Sequence, residues 1–310
     1  MALLAKPPKS SKSPRPRRDS GRDASTRRSS SRSTAGRSGE RTNSPLWDQA
    51  ARWYDALVGF HGSDYQQNIV LPGTERLLDL KKGREVLDLA CGQGVLSRHL
   101  SQKGMKMTGL DVSQELIRLA QKRTARGIRF ECADAADPQA LKGRTFDAIA
   151  CLLAIQNIEH LEPVFHNVRR WLKPQGRFVM VVTHPCFRIP RQTHWGWDEE
   201  KKIMYRRVDL YLSSNTIPIL TPPMARSTVY TTTYHRSLQE YFTALNAAGL
   251  QVDMLEEWTS HKNSEPGKRA KAENRARQEI PLFLALRVRA GTSVVVEPAA
   301  TSTAPKASKP

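Results

Sequence analysis

The 310-residue sequence lacks several features that would place it in a large protein class. No run of 18 apolar residues occurs, so no transmembrane helix is expected. Cysteine is scarce: Cys91, Cys132, Cys151 and Cys186 are widely scattered and form no C-x-x-C pair. A disulfide scaffold and a structural zinc site are therefore not expected. No aromatic residue precedes Trp47, and Met1–Ala5 is too short for the apolar core of a secretory signal. Acids are outnumbered, with 30 Asp and Glu against 49 Lys and Arg and a net charge of +19. Such an excess points to nucleic acid only where it lies on a folded surface.

Much of it does not. Residues 1–44 carry 12 basic and 3 acidic groups with 14 Ser and Thr, a net of +9. That composition buries too little apolar surface to offset ordering, so a disordered basic tail is expected. An arm for nucleic acid or anionic surfaces is a second reading. A cleaved organelle transit peptide is a third, although Pro7, Pro8, Pro14 and Pro16 interrupt an amphipathic helix. Residues 291–310 read as a second short disordered tail. Between them, residues 45–290 form the folded part, and a cytoplasmic protein is the expectation.

What the folded part contains is an alternation of strand and helix. Strands are read at Glu85–Leu89, Met105–Leu110, Ile128–Cys132, Phe146–Leu153 and Arg177–Val182, with helices between them. Ser113 caps one helix, and Leu161, Val164, Phe165, Val168 and Leu172 share the face of another. This spacing implies a parallel sheet covered on both faces. Ser237 and Glu240 form a capping box before a further helix. Two strands, Leu250–Trp258 and Ile280–Val288, follow as a hairpin whose residues 259–279 read as a long polar loop.

The chemistry concentrates in Val86-Leu87-Asp88-Leu89-Ala90-Cys91-Gly92-Gln93-Gly94. A strand enters a tight turn with two glycines, which let backbone approach a ligand, and a helix start with free amides leaves it. Asp111 ends the next strand, where a carboxylate can accept both hydroxyls of a ribose. Asp134 ends the third and could accept from an adenine amino group. A dinucleotide fingerprint would need glycine where Ser97 stands. Asp88 inside the loop would also repel a pyrophosphate and attract an ammonium. The ligand thus looks like a nucleoside with a cationic amino acid end.

With Phe146-Asp147-Ala148-Ile149 and Leu172-Lys173-Pro174-Gln175-Gly176-Arg177, residues 84–183 resemble a class I S-adenosylmethionine-dependent methyltransferase of the small-molecule type. The resemblance implies an α/β, Rossmann-like doubly wound sheet of seven strands, mostly parallel with one antiparallel. It implies S-adenosylmethionine as cofactor. It places Asp88, Ala90, Cys91, Gly92 and Gly94 at the amino acid end and Asp111 and Val112 at the ribose and adenine. Asp134 and Ala135 then fall at the adenine, and Leu152 along the methionine. Ala90 departs from the glycine common there, and Gln175 from a Pro-Gly-Gly turn.

The acceptor is less marked. No Asn/Asp-Pro-Pro-aromatic signature of exocyclic base methylation follows the fourth strand. His184, after the fifth, is the candidate base or acceptor anchor; Cys186 reads as a small buried thiol and His160 as a helix-start residue. Residues 184–235 resemble a lid insertion, aromatic and proline-rich, with Trp195 as a substrate contact. Tyr54 in Trp47-Asp48-x-x-Ala51-x-x-Tyr54 could touch the methionine carboxylate, and Tyr65 is a further substrate candidate. The expected function is methyl transfer to oxygen or nitrogen of a small organic acceptor. An RNA or protein methyltransferase using the basic tail, and a non-catalytic cofactor-binding protein, are the alternatives.

Overall fold

One sheet organises the molecule, and its central strands form where the sequence has short apolar runs. The computed structural model describes residues 44–124, 127–221 and 229–291. The tails expected at 1–44 and 291–310, apart from Ser44 and Gly291, lie outside the described residues, as do Pro222 and Pro223. The chain begins with helix α1 (Ser44–Val58), then a π-helical turn (Gln66–Val70) that runs into α2 (Leu71–Leu78). There follow β1 (Glu85–Leu89), α3 (Val95–Gln102), β2 (Lys106–Asp111), α4 (Gln114–Arg123) and β3 (Arg129–Cys132). Next come β4 (Phe146–Leu152), a 3-10 turn (Ile155–Asn157), α5 (Leu161–Trp171) and β5 (Leu172–Thr183). Four short strands, β6 (Thr193–Asp198), β7 (Ile203–Val208), β8 (Asn215–Leu220) and β9 (Tyr230–His235), precede α6 (Leu238–Ala247). The last elements are β10 (Leu250–Trp258), α7 (Ala270–Glu279) and β11 (Phe283–Ala290).

The seven-stranded sheet has the order β10-β11-β5-β4-β1-β2-β3. β11 runs antiparallel to both β5 and β10, while the pairs from β5 to β3 are parallel. This is the doubly wound sheet with one reversed strand expected from the sequence. The chain leaves β1 toward β2 and returns as β4 on its other side, so the strand order reverses at β1. Ligands of such sheets bind at that switch point, beyond the carboxyl ends of the strands.

Both faces of the sheet are covered, which is why β1, β4 and the second half of β5, Phe178–Val182, are buried almost throughout. Leu161, Val164, Phe165, Val168 and Trp171, spaced for one helical face, bury α5 against Ile149, Phe178, Met180 and Leu286. Val179 and Val181 alternate with Phe178 and Met180 and are equally buried. By the strand period of two they face the other layer, where α2 packs on β5, β11 and α3.

Two regions differ from the sequence reading. Residues 259–279 are not all loop: α7 occupies Ala270–Glu279. Its residues are strong helix formers by intrinsic propensity, and only Ala276 is buried, so it carries no apolar stripe to announce it. The insertion after β5 is built from two antiparallel hairpins, β6–β7 and β8–β9. β9 packs against α1 and against the 3-10 turn after β4. Thr233 Oγ1 donates to Asn157 Oδ1 at 3.1 Å and Tyr234 donates to Glu159 at 3.1 Å, which seats this hairpin over the end of β4. β5 also starts earlier than expected, at Leu172, because Pro174 and Gly176 interrupt the preceding helix without ending strand pairing.

The capping box at α6 is present. Glu240 N donates to Ser237 Oγ and Ser237 N donates to Glu240 Oε2 at 2.8 Å. Ser237→Ala should lower the unfolding free energy by about 1 kcal/mol. Urea denaturation would show this as a lower midpoint with an unchanged slope.

Candidate functional site

The site grows from the carboxyl ends of β1, β2 and β4. Leaving β1, the chain turns through Ala90 (φ 55°), Gly92 (φ 55°) and Gly94 (φ 80°), three left-handed residues in five. Gly92 is required twice over. Its φ is positive, and a Cβ there would stand 3.3 Å from the Tyr54 ring. Ala90 keeps the same backbone shape with a methyl group, an arrangement that glycine adopts at less cost. Gly109 on β2 lets the strand lie under the loop, since a Cβ there would come within 2.6 Å of Phe130 and 2.9 Å of Cys91 Sγ.

Two carboxylates face this turn. Asp88 is 3% exposed and accepts from Ser97 N at 3.0 Å and Ser97 Oγ at 2.7 Å. Ser97 stands where a dinucleotide fingerprint would carry its third glycine, and it holds Asp88 instead. Burial pushes the Asp88 carboxyl up to about 7, against the Ser97 bonds, and the nearby Asp111 pushes in the same direction. Asp111 is 8% exposed and accepts from Gly92 N at 2.8 Å and Ser113 N at 2.9 Å. Burial raises it to about 6, opposed by those amides and aided by Asp48. Neither carboxylate has a cationic side chain within 4.0 Å among the described residues. Arg98, beyond ion-pair distance, offsets the Asp88 charge only in part; two adjacent buried carboxylates with so little counter-charge favour a ligand that brings positive charge.

Helix α1 closes the site from one side, and polar bonds fasten it. Asp48 Oδ1 accepts from Ser113 Oγ at 2.6 Å and from Glu115 N at 3.1 Å, so it adds to the cap of α4. Arg123 reaches Asp55 at 2.7 Å. Gln93 Nε2 donates to Gly59 O at 2.6 Å, and Arg98 donates to Phe60 O at 2.7 Å and to Gln93 O at 2.6 Å. Tyr54 is thereby held over Gly92, edge-on to Trp47 at 5.7 Å, and burial beside Asp111 and Asp88 raises its hydroxyl far above the usual value.

The structure brings most of the sequence-predicted residues to this edge. Asp88, Cys91, Gly92, Asp111 and Tyr54 lie close to one another, with Ala90 and Gly94 in the same turn. Ala133 N donates to Asp111 O at 3.0 Å, which sets Asp134 and Ala135 beside Asp111 and Val112. Asp134 Oδ1 accepts from Ala136 N at 2.8 Å, shaping its own turn. Leu152 ends β4, the neighbour of β1, and Leu153 turns with φ 56°. Cys91 and Cys151 are buried thiols raised above their usual value, first by burial.

His184 is 1% exposed, with both ring nitrogens engaged. Cys186 N donates to Nδ1 at 3.2 Å, so Nε2 carries the proton of the neutral ring and donates to Glu257 Oε1 at 2.7 Å. Burial lowers its affinity for a second proton. The ring has no free nitrogen for the general-base role expected from the sequence. His160, as expected, precedes the first residue of α5. Tyr65 is 8% exposed and meets His261 and Phe283 edge-on, at 5.3 and 6.1 Å. Trp195 lies on β6 against Arg188 and Arg206.

Ser97, Arg98, Asp48 and the lid arginines were not singled out as site residues. Asp48 and Ser97 lie 65 and 9 residues from the groups they bond, Ser113 and Asp88, so no local spacing marks the pairs.

A sheet of this order, with a glycine turn and two buried acids at its switch point, defines the class I methyltransferase fold. The comparisons agree. Residues 86–176 match the family model described as a methyltransferase domain. A solved S-adenosylmethionine-dependent methyltransferase from Mesorhizobium loti is similar at 25% identity and a TM-score of 0.58, over 74% of this chain and 100% of that one. The demethylmenaquinone methyltransferase of Tropheryma whipplei is 29% identical over 113 residues, 36% of this chain and 46% of that protein. The ubiquinone biosynthesis O-methyltransferase of Idiomarina loihiensis is 25% identical over 163 residues, 47% of this chain and 67% of that protein. The chain thus spans about half the length of the first of these curated relatives. Residues 86–176 are thus a methyltransferase domain in a class I fold, and its buried acids and glycine turn fit the cationic nucleoside S-adenosylmethionine. Among the described residues, no helix is long and apolar enough to cross a membrane.

The raised carboxyls give a signed pH dependence. In the ligand-free protein, Asp88 and Asp111 hold protons that the unfolded chain has released. Between about pH 4, the ordinary carboxylate value, and their folded values, stability therefore falls as pH rises. Denaturant titrations from acid to neutral pH should show a shallower decline for Asp88→Asn than for the wild type. Equal slopes would contradict the buried charge.

Proposed function

We propose that residues 45–290 act as one methyltransferase domain, with residues 184–235 as its lid, and transfer a methyl group to oxygen or nitrogen of a small organic acceptor. The observation that carries this is the pair of buried acids, Asp88 and Asp111, set around the Ala90–Gly94 turn with no ion-pair partner among the described residues. Asp111 is placed to take the ribose hydroxyls, and Asp88 and the turn to take the amino acid end. Asp134, Ala135 and Val112 border the adenine, while Leu152 and Tyr54 flank the methionine. When bound, S-adenosylmethionine supplies an electrophilic methyl group on a sulfonium.

What remains for the chain is alignment of the acceptor, exclusion of water and acceptance of a proton where the acceptor has one. The hairpin β8–β9 and helix α1 together cover the edge where this happens. His184 serves this arrangement by holding the turn after β5, through Cys186 N and Glu257, rather than by taking the proton. Support for a ring-bearing small acceptor comes from the aromatic lid, with Trp195, Trp197 and Tyr205 on one hairpin. The names of the two curated relatives, a demethylmenaquinone methyltransferase and a ubiquinone biosynthesis O-methyltransferase, agree with it.

Calorimetry with S-adenosylmethionine should give saturable binding, weakened at least about tenfold, or 1.4 kcal/mol, in Asp111→Ala. Labelled cofactor incubated with low-molecular-weight cell extract should leave label on a small molecule. Label found only on RNA or protein would overturn the acceptor class.

A further inference from the structure

The lid carries two arginines whose surroundings are incomplete. Arg188 follows the turn after β5. Arg206 lies on β7 directly across from Trp195 on β6. Both guanidinium groups sit against the same indole, 5.4 and 5.0 Å from its ring centre. Among the described residues, every hydrogen-bond partner they have is neutral. Arg188 donates to Pro281 O at 3.2 Å and Ile280 O at 3.4 Å. Arg206 donates to Phe187 O at 3.0 Å and Thr193 Oγ1 at 2.6 Å. These bonds use Nε and one amino group of each, and among the described residues nothing accepts from the second amino group.

Neighbouring cations of the same hairpin are treated differently. Arg207 pairs with Asp209 at 2.9 Å, and Lys202 pairs with Glu199 at 2.7 Å. Arg269, stacked on Trp197, reaches Glu199 at 3.6 Å. These are the more exposed cations, and they have acids. Arg188 and Arg206 are half-buried and have none within 4.0 Å among the described residues. Burial lowers both, Arg188 to about 10, with repulsion from Arg206 and Arg277 adding to it. Half-buried like charges without a counter-ion are costly, and an oxyanion would relieve that cost.

The cluster lies at the edge of the sheet that carries the cofactor turn. Arg188 is near enough to Tyr65 to feel its hydroxyl, and the Tyr65 ring meets Phe283, which pairs with Thr183 at the end of β5. Next to Tyr65, Gln66 packs on Gly62, and a Cβ at Gly62 would touch Val95, the first residue after the glycine turn.

We propose that Arg188 and Arg206, braced by Trp195, bind an oxyanion, carboxylate or phosphate, on the methyl acceptor. A fixed guanidinium fork suits either group, and the Trp195 indole beside both offers an aromatic contact to the rest of the molecule. Assigning the oxyanion to the acceptor rests on the methyltransferase reading; the anion site itself does not.

The test uses the full chain with benzoate, its neutral analogue benzamide and inorganic phosphate as probes, followed by calorimetry and thermal shift. S-adenosylhomocysteine binding is measured in every sample. Benzoate or phosphate should bind saturably and benzamide should not. Arg188→Gln and Arg206→Gln should each lose at least about tenfold in anion affinity, while the exposed, acid-paired Arg207→Gln should lose nothing. Stronger binding of benzoate marks a carboxylate acceptor, and stronger binding of phosphate a phosphorylated one. Equal binding of benzamide, no saturable anion binding, or unchanged affinity in both variants would overturn the anion site. Loss of S-adenosylhomocysteine binding in the wild type would instead overturn the cofactor reading. Retained S-adenosylhomocysteine binding in the two arginine variants confirms that they are folded.

Discussion

The structure turns on two carboxylates that cannot easily be charged where they stand. Asp88 and Asp111 end adjacent parallel strands, paired in register as Asp88↔Gly109 and Leu89↔Leu110, and both are buried. Water is largely excluded, only the more distant Arg98 offsets Asp88, and each carboxyl feels a further acid, Asp111 for Asp88 and Asp48 for Asp111. Backbone amides of Gly92, Ser97 and Ser113 hold the carboxylates in place without neutralising them. A ligand with positive charge and vicinal hydroxyls satisfies what the fold leaves open. A phosphate would add to the strain.

Around that pair, the rest of the chain works to close the edge of the sheet. α1 is fastened to the glycine turn and to the start of α4 through Asp48, Asp55, Gln93 and Arg98, so Tyr54 is held against Gly92. From the other side the β8–β9 hairpin locks to the turn after β4. The two closures meet, since β9 also packs on α1. The β6–β7 hairpin then adds Trp195 and Arg206, which meet Arg188 from the turn after β5; neither arginine has an acid partner among the described residues. The acids at the glycine turn and the arginines around Trp195 thus have opposite charge preferences.

The fold and the cofactor turn were legible in the sequence because both depend on local pattern. Strands such as Phe146–Leu152 are apolar runs, α5 has its apolar face at helical spacing, and Asp88–Gly94 is a single short motif. The sheet's reversed last strand followed from the family resemblance and is present as β11. α7 was not legible, because a polar helix with one buried residue has no periodic face. The hairpins after β5 were not legible either, since β7 alternates in burial but puts Ile203 and Tyr205 on its exposed face and Arg206 on the other. The ties that matter most at the site join distant residues, Asp48 with Ser113 and Arg188 with Pro281, and no spacing rule encodes them. His184 was visible as a candidate from its place at a strand end, but only its partners show that both nitrogens are used.

The central claim is that cofactor binding is selected by charge at Asp88 and Asp111. Calorimetric titration with S-adenosylmethionine in buffers of different ionisation enthalpy measures the protons released on binding. Near pH 6 to 7, where these carboxyls stand part-protonated, the account predicts proton release and an affinity that rises with pH, and neither in Asp88→Asn, Asp111→Asn. Binding without proton release, at an affinity independent of pH, would contradict it.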